Sequence, residues 1–192
     1  MTSARMEAFS DGVIAVLITI MVLELKAPTG DTLSDLRHVL SPFLVYLLSF
    51  VMLGIYWNNH HHMLQATERV SGRVLWANLH LLFWLSLFPF CTEWMGRNHA
   101  AEVPTALYGV VLFFAGLSYY VLQQTIIATQ GPDSVLRHAI GKDVKGKASQ
   151  VIYVVAFGLA FVSTWLAVAL YVLVALMWLV PDKRLEQHLT QD

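Results

Sequence analysis

Polar side chains that could do chemistry gather beside the first apolar run of the chain. Asp11 stands directly before an uncharged segment from Gly12 to Leu23, in which Thr19 is the one polar side chain. An ionisable group at the edge of a membrane-spanning segment costs free energy, so it indicates a functional or fold-holding site. Because an unpaired buried charge is unfavourable, Asp11 is expected to have a partner on a neighbouring element.

Partners for Asp11 are available near the same predicted depth of the membrane. The second apolar segment ends with Asn58, Asn59, His60, His61 and His62, and the third begins with Trp76, Asn78 and His80. With the N-terminus inside the cell, all of these lie near the inner leaflet. The sequence therefore predicts a polar network there, in which His or Asn pairs with Asp11 and Arg5 is a further candidate.

The run of three histidines does not predict a metal site. Successive helical residues point roughly 100° apart, so His60, His61 and His62 cannot all face one ion. The single cysteine, Cys91, provides no cysteine pair for a structural zinc. No phosphate-binding loop and no serine nucleophile motif occurs in the sequence. We therefore expect no metal, no cofactor and no catalytic residue.

Composition places these residues in an all-α membrane protein. The 192 residues are 57% hydrophobic and 13% charged, whereas soluble domains carry about 25% charged residues. The net charge of −1 gives no basic surface for nucleic acid. Crossing the bilayer takes about 20 apolar residues. The predicted spans of this single domain, residues 1–192, are about 5–26, 41–63, 74–95, 104–128, 148–163 and 164–180, with Pro42 in the first turn of the second.

The last two spans come from one uncharged run, residues 148–180, which is too long for a single crossing. A turn near Ser163 and Thr164 would divide the run into two short helices. The loop charges support that division, since cytoplasmic loops are rich in Lys and Arg. Six spans place nine such residues inside (Arg5, Arg69, Arg73, Arg137, Lys142, Lys145, Lys147, Lys183 and Arg184) and three outside (Lys26, Arg37 and Arg97). Five spans would leave seven Lys and Arg residues inside and five outside, which is a weaker bias. The charge count therefore favours six spans, with both termini in the cytoplasm.

The first helix has two faces on a helical wheel. One stripe, within about 50° of a common line, comprises Phe9, Gly12, Val16, Thr19, Ile20 and Leu23. Asp11 lies about 140° from Val16 and faces different surroundings. The stripe is equally compatible with ordinary helix packing, in which Thr19 hydrogen-bonds its own backbone.

Several segments together resemble the transmembrane protein 175 family of potassium channels, in its prokaryotic six-span branch. The head of the first span reads Arg5-x-x-x-Phe9-Ser10-Asp11. Further matching segments are Tyr56-Trp57 with His60-His61, Asn78-Leu79, Leu87-Phe88-Pro89-Phe90, Ala160 to Ser163, and Trp178 to Asp182. The resemblance covers nearly the whole chain, and the position of the Phe-Ser-Asp segment makes it specific.

This resemblance implies a homotetramer in which four first helices line a central pore for monovalent cations, with permeant K⁺ as the only bound ion. Carried over by position, Val16, Ile20 and Leu23 would form apolar constriction rings, and Thr19 would govern selectivity. The implied cytoplasmic-side network comprises Arg5, Phe9, Ser10, Asp11, Trp57, His60, His61, Trp76, Asn78 and His80. Two positions depart from the family pattern: Val16 is smaller than the expected Ile or Leu, and Thr164 stands where a Ser-Pro turn is usual.

Two other functions are compatible with parts of the sequence. A small proton-coupled transporter would use Asp11 and an inner-leaflet His as its coupling pair. Against it, the spans show no inverted repeat. A membrane enzyme would need metal at the histidines. A passive, potassium-preferring channel of the cell membrane, without a voltage sensor, remains the favoured prediction.

Overall fold

The computed structural model describes residues 2–131, 134, 136–137 and 143–179, and it contains no β-strand in those ranges. The helices are α1 (Ser3–Leu23), α2 (Leu33–Gln65), α3 (Gly72–Ser86), α4 (Phe88–Arg97), α5 (Glu102–Gln130), α6 (Val144–Leu159) and α7 (Thr164–Leu179). Lys142, Lys183 and Arg184, which entered the charge count, lie outside the described residues, as does the end of the sixth predicted span.

Helix α2 begins earlier than the sequence predicted. Thr32 and Asp35 form a capping box, in which the Thr32 hydroxyl accepts from the Asp35 backbone and the Asp35 carboxylate accepts from the Thr32 backbone. This cap starts the helix at Leu33, so Pro42 lies in the helix interior rather than in its first turn. The placement of Pro42 in the first turn was therefore wrong, because the local cap outweighed the proline signal.

Helices α2 and α4 approach each other closely at Pro42. A Cβ atom on Gly96 would lie 2.9 Å from the Pro42 Cα atom, so only glycine fits at that position without a backbone shift. The Ser41 hydroxyl donates to the Gly96 carbonyl at 3.4 Å. A small residue thus lets the two helices pack backbone to backbone at the end of the bundle that holds the α1–α2 connection.

The third predicted span is a single apolar stretch in the sequence, but the structure divides it into two helices, α3 and α4. Residues Gly72–Arg97 together are long and apolar enough to cross a membrane. The helix is interrupted at Leu87, and α4 restarts with Pro89 in its first turn, where the missing N–H group leaves no bond unmade. The predicted span 74–95 gave no indication of this break.

The uncharged run that was predicted to divide does form two helices. Helix α6 ends at Leu159, a turn follows, and α7 starts at Thr164. The Ser163 amide closes the turn by donating to the Leu159 carbonyl at 2.8 Å. The number of membrane crossings and the position of the termini stay predictions.

Helix α5 is the centre of the packing. It contacts α3, α4, α6 and α7, whereas α1 packs against α2, α3 and α4. One alanine on each of α5, α6 and α7 is fully buried, namely Ala115, Ala156 and Ala167. Such small side chains let membrane helices approach closely. Because α1 is held by neighbours on one side, its opposite face stays uncovered in the single chain.

Candidate ion pathway and its supporting network

The uncovered face of α1 is the predicted apolar stripe. Val16, Ile20 and Leu23 are 55%, 40% and 77% exposed. On the opposite face, Ile14 and Met21 are each 2% exposed and belong to the core of the chain. An exposed apolar stripe on a helix otherwise fixed in the fold indicates a surface that faces lipid, another subunit or a pore.

Thr19 lies on the same exposed face and already uses its hydroxyl hydrogen. The Thr19 Oγ1 atom donates to the Val16 carbonyl at 2.8 Å. This is the backbone hydrogen bond that the packing alternative predicted. The bond also fixes the oxygen, whose remaining lone pairs can accept hydrogen bonds or coordinate a cation.

Two acidic side chains of α1 are held by two aromatic side chains of α2. The Trp57 Nε1 atom donates to Asp11 Oδ1 at 3.0 Å. One turn away, the His61 Nδ1 and Glu7 Oε1 atoms are paired at 2.5 Å. The rings of Trp57 and His61 stack with their centroids 6.2 Å apart. Asp11 is therefore fixed sideways to α2, by Trp57 rather than by a histidine.

A buried hydrogen-bond chain joins α1, α3 and α2 beneath this surface. The Ser10 hydroxyl donates to the Met6 carbonyl at 2.9 Å and accepts from Asn78 Nδ2 at 2.9 Å. Asn78 Oδ1 is paired with His60 Nε2 at 2.8 Å. Since Ser10, Asn78 and His60 are almost completely buried, these bonds satisfy groups that water cannot reach.

Other residues predicted for the network lie apart from it. Arg5 is exposed, and its guanidinium makes no hydrogen bond or ion pair with any described residue. Phe9 and Trp76 are 51% and 75% exposed. His80 accepts a hydrogen bond from Trp84 at 3.1 Å within α3. The single chain thus joins Ser10, Asp11, Trp57, His60, His61 and Asn78, and leaves the remaining four at its surface.

Glu7 was not among the residues predicted from the sequence, although a signal for it was present. Glu7 and Asp11 are four residues apart on α1, and Trp57 and His61 are four residues apart on α2. Residues at this spacing share one helix face. Two matched pairs on antiparallel helices can therefore meet side by side, as they do here.

The opposite end of α1 carries an ion-pair cluster. Arg97 is 2.6 Å from Glu93, at the four-residue spacing that brings two side chains together on one helix face. A second carboxylate, that of Glu24 at the end of α1, lies 3.9 Å from Arg97. These side chains line a cavity of about 390 Å³ between α1, α2 and α4.

The fold and this site define a class of protein. Four stretches of the described helices (α1, α2, α3 with α4, and α5) are long and apolar enough to cross a membrane. They carry a polar network at one end and an uncovered apolar stripe on α1. The chain is therefore a multi-pass helical membrane protein.

Comparison with known proteins gives the family. The family described as "Endosomal/lysosomal potassium channel TMEM175" matches residues 5–89. A potassium channel of Chryseobacterium sp. is 49% identical over all of both chains, and one of Streptomyces collinus is 31% identical over 92% of this chain and 91% of that protein. The chain belongs to the TMEM175 family, a family of ion channels rather than of enzymes.

A solved structure agrees in fold. The crystal structure of a lysosomal potassium-selective channel TMEM175 homolog from Chamaesiphon minutus superposes with a TM-score of 0.80 at 27% identity. The superposition covers 94% of this chain and 97% of the Chamaesiphon minutus chain. The arrangement of helices described above is thus shared along nearly the whole length.

Proposed function

We propose that this chain is a potassium-preferring cation channel in which four copies of α1 surround a central pore. The observation that carries the proposal is the uncovered stripe of Val16, Thr19, Ile20 and Leu23 on a helix otherwise packed against α2, α3 and α4. A ring of four such stripes buries this apolar surface around a common axis. Potassium-channel relatives of the same length support the permeant ion.

The apolar residues supply the constriction. Val16 and Ile20 are four residues apart and Leu23 follows one turn later, so each would contribute a ring at a successive depth. Rings of apolar side chains exclude water when narrow and so block ions by dewetting. A tilt or rotation of α1 would widen the rings and admit hydrated cations. No covalent step takes part.

Thr19 supplies the one polar ring between the apolar ones. Its hydroxyl hydrogen is bound to the Val16 carbonyl, so the lone pairs of its oxygen remain for the pore. Four such oxygens would replace part of the hydration shell of a potassium ion. Ion selectivity by oxygen dipoles depends on their number and field strength, and a single ring accounts for modest selectivity.

The test is a comparison of potassium and sodium flux in proteoliposomes. The wild-type protein should conduct K⁺ passively and faster than Na⁺, and T19V should bring the two fluxes closer together. The matched control is T125V, since the Thr125 hydroxyl on α5 donates to its own backbone at 2.7 Å in the same way. T125V should keep the wild-type ratio.

Two outcomes would contradict the proposal. An unchanged ratio in T19V would remove Thr19 as the selectivity ring. Flux that saturates at low substrate and requires a proton gradient would instead identify a coupled transporter.

A further inference from the structure

A second cavity lies away from α1, between α2, α5 and α6. Its volume is about 630 Å³, within the roughly 300–1,000 Å³ that holds a drug-sized ligand. It lies where α2 and α5 end and α6 begins. The walls are mainly apolar and reach the outer surface of the bundle at Leu117, Tyr120 and Val151, which are 36%, 41% and 65% exposed.

The mouth of this cavity is cationic. Lys145 and Lys147 stand in the first turn of α6, and both line the cavity. Asp143 also lines it, but its carboxylate caps α6 by accepting from the Gly146 amide at 3.1 Å. The Lys145 ammonium lies 5.9 Å from the centroid of the Trp178 ring, which is itself fixed by a hydrogen bond from Nε1 to the Ser149 hydroxyl at 2.9 Å. Two lysines in the first turn of a helix, at the positive end of its dipole, favour an anion.

Inside the cavity, one amide side chain has no hydrogen-bond partner in the described part of the chain. Gln123 is 6% exposed, lines the cavity, and makes no hydrogen bond with any residue in the described ranges. Two neighbouring polar groups of the cavity wall are engaged. The Tyr119 hydroxyl donates to the Asn59 carbonyl at 3.0 Å. Gln150, with its amide oriented to suit its neighbours, donates to the Phe113 carbonyl at 3.2 Å. Because Gln123 lines the cavity, its amide is available to bond a ligand there.

We propose that this cavity binds an anionic phospholipid from the leaflet at that end of the bundle. The phosphodiester lies between Lys145 and Lys147, and the ester region accepts a hydrogen bond from the Gln123 amide. One acyl chain follows the apolar wall past Leu117 and Val151 into the bilayer. Basic pockets between membrane helices bind anionic headgroups for this reason.

The experiment measures lipid binding to the full-length purified protein by native mass spectrometry. Delipidated protein is titrated with phosphatidylglycerol or with phosphatidylcholine of the same chains. Phosphatidylglycerol should bind more tightly by at least about fivefold. The double variant K145Q/K147Q should weaken it about 25-fold, since one lysine near an anionic lipid accounts for about a factor of five. The control is K26Q, an exposed lysine at the other end of the bundle, which should bind as wild type does.

Further variants test the ester contact and the acyl-chain path separately. Q123L should weaken phosphatidylglycerol several-fold, and V151W should obstruct the acyl path. If the double variant fails to fold because the Trp178 contact is lost, K147Q alone should give the fivefold loss, because Lys147 is exposed and lacks an ion pair with any described residue.

Three results would overturn the proposal. Equal affinity for phosphatidylglycerol and phosphatidylcholine would show that the site does not recognise the headgroup charge. Unchanged affinity in K147Q and in the double variant would place the lipid elsewhere. Soluble glycerol phosphate binding as tightly as the lipid, with the same lysine dependence, would identify a free phosphate ester as the ligand.

Discussion

At the scale of single residues, Asp11 acts as an anchor between two helices. Its carboxylate accepts from the Trp57 indole at 3.0 Å and points away from the exposed stripe. A hydrogen bond to a charged acceptor is worth roughly 1.5–3 kcal/mol, against about 1 kcal/mol for a neutral pair. We therefore expect the charge of Asp11 to hold α1 in position against α2.

Replacing Asp11 by Asn should lower stability without changing ion preference. D11N keeps an acceptor for Trp57 but loses the charge, so we expect a loss of about 1 kcal/mol. The measurements are the thermal unfolding temperature of the purified protein and its potassium-to-sodium flux ratio.

The control for D11N is E24Q at the other end of α1. Glu24 is 3.9 Å from Arg97 in a partly exposed pair, and such pairs contribute little. If D11N is as stable as the wild type but its flux ratio is altered, Asp11 belongs to the pathway rather than to the anchor.

The sequence predicted the depth of this network better than its pairs. Apolar periodicity placed Asp11, His60 and Asn78 in one slab because depth follows from position along each helix. Partner choice depends on how α1 and α2 rotate against each other, and periodicity alone does not determine that rotation. For the same reason Glu7 was missed, and Trp76 and His80 were assigned to a network that they do not join in the single chain.

At the scale of elements, local sequence signals that the apolar pattern does not show determine where the helices begin and break. The capping box at Thr32 extends α2 past Pro42, and Pro89 restarts a helix after the break at Leu87. The apolar stretches themselves were predictable because each must reach across the hydrocarbon. The ends and breaks were not, since they depend on single hydrogen bonds and on close contacts between helices.

Adding a methyl group at the crossing of α2 and α4 should separate the two helices. In G96A the new Cβ meets the Pro42 backbone, which cannot rotate away as a side chain could. Overpacking of this kind costs about 1–3 kcal/mol. Thermal unfolding of the detergent-solubilised protein measures the loss.

The matched control is G158A in α6, where a Cβ would have no neighbour within 4 Å. Alanine there should be neutral or stabilising by up to about 1 kcal/mol, because it favours the helix. Equal unfolding temperatures for G96A and the wild type would show that α2 and α4 are free to move apart.

At the scale of the whole molecule, six crossings would place the α6–α7 turn outside and the α2–α3 loop inside. Cysteine labelling tests this in a C91S background, since Cys91 is the one cysteine of the chain. In intact cells V162C, at a position 81% exposed, should react with an impermeant maleimide. R69C should react only after permeabilisation. The reverse labelling pattern would show that the topology is inverted. Labelling of both positions in intact cells would contradict the predicted topology.

Measuring the mass of the purified protein tests the number of subunits. The purified protein should appear as four copies of the 21.6 kDa chain. Placing a charge on the stripe, as in V16D, should reduce the tetramer fraction, because four carboxylates would meet at one ring. A stable monomer or dimer that still conducts would contradict a pore built from four α1 helices.

The unequal helix lengths have a consequence for the surrounding bilayer. Helix α6 has 16 residues and spans about 24 Å, whereas α2 has 33 and spans about 50 Å. The hydrocarbon core is about 30 Å thick. In the predicted six-span arrangement, lipid beside α6 would have to thin or draw its headgroups inward, while α2 would tilt or protrude. Hydrophobic mismatch would then act in opposite senses beside two helices of one subunit, so we expect the stability of the protein to depend on acyl-chain length.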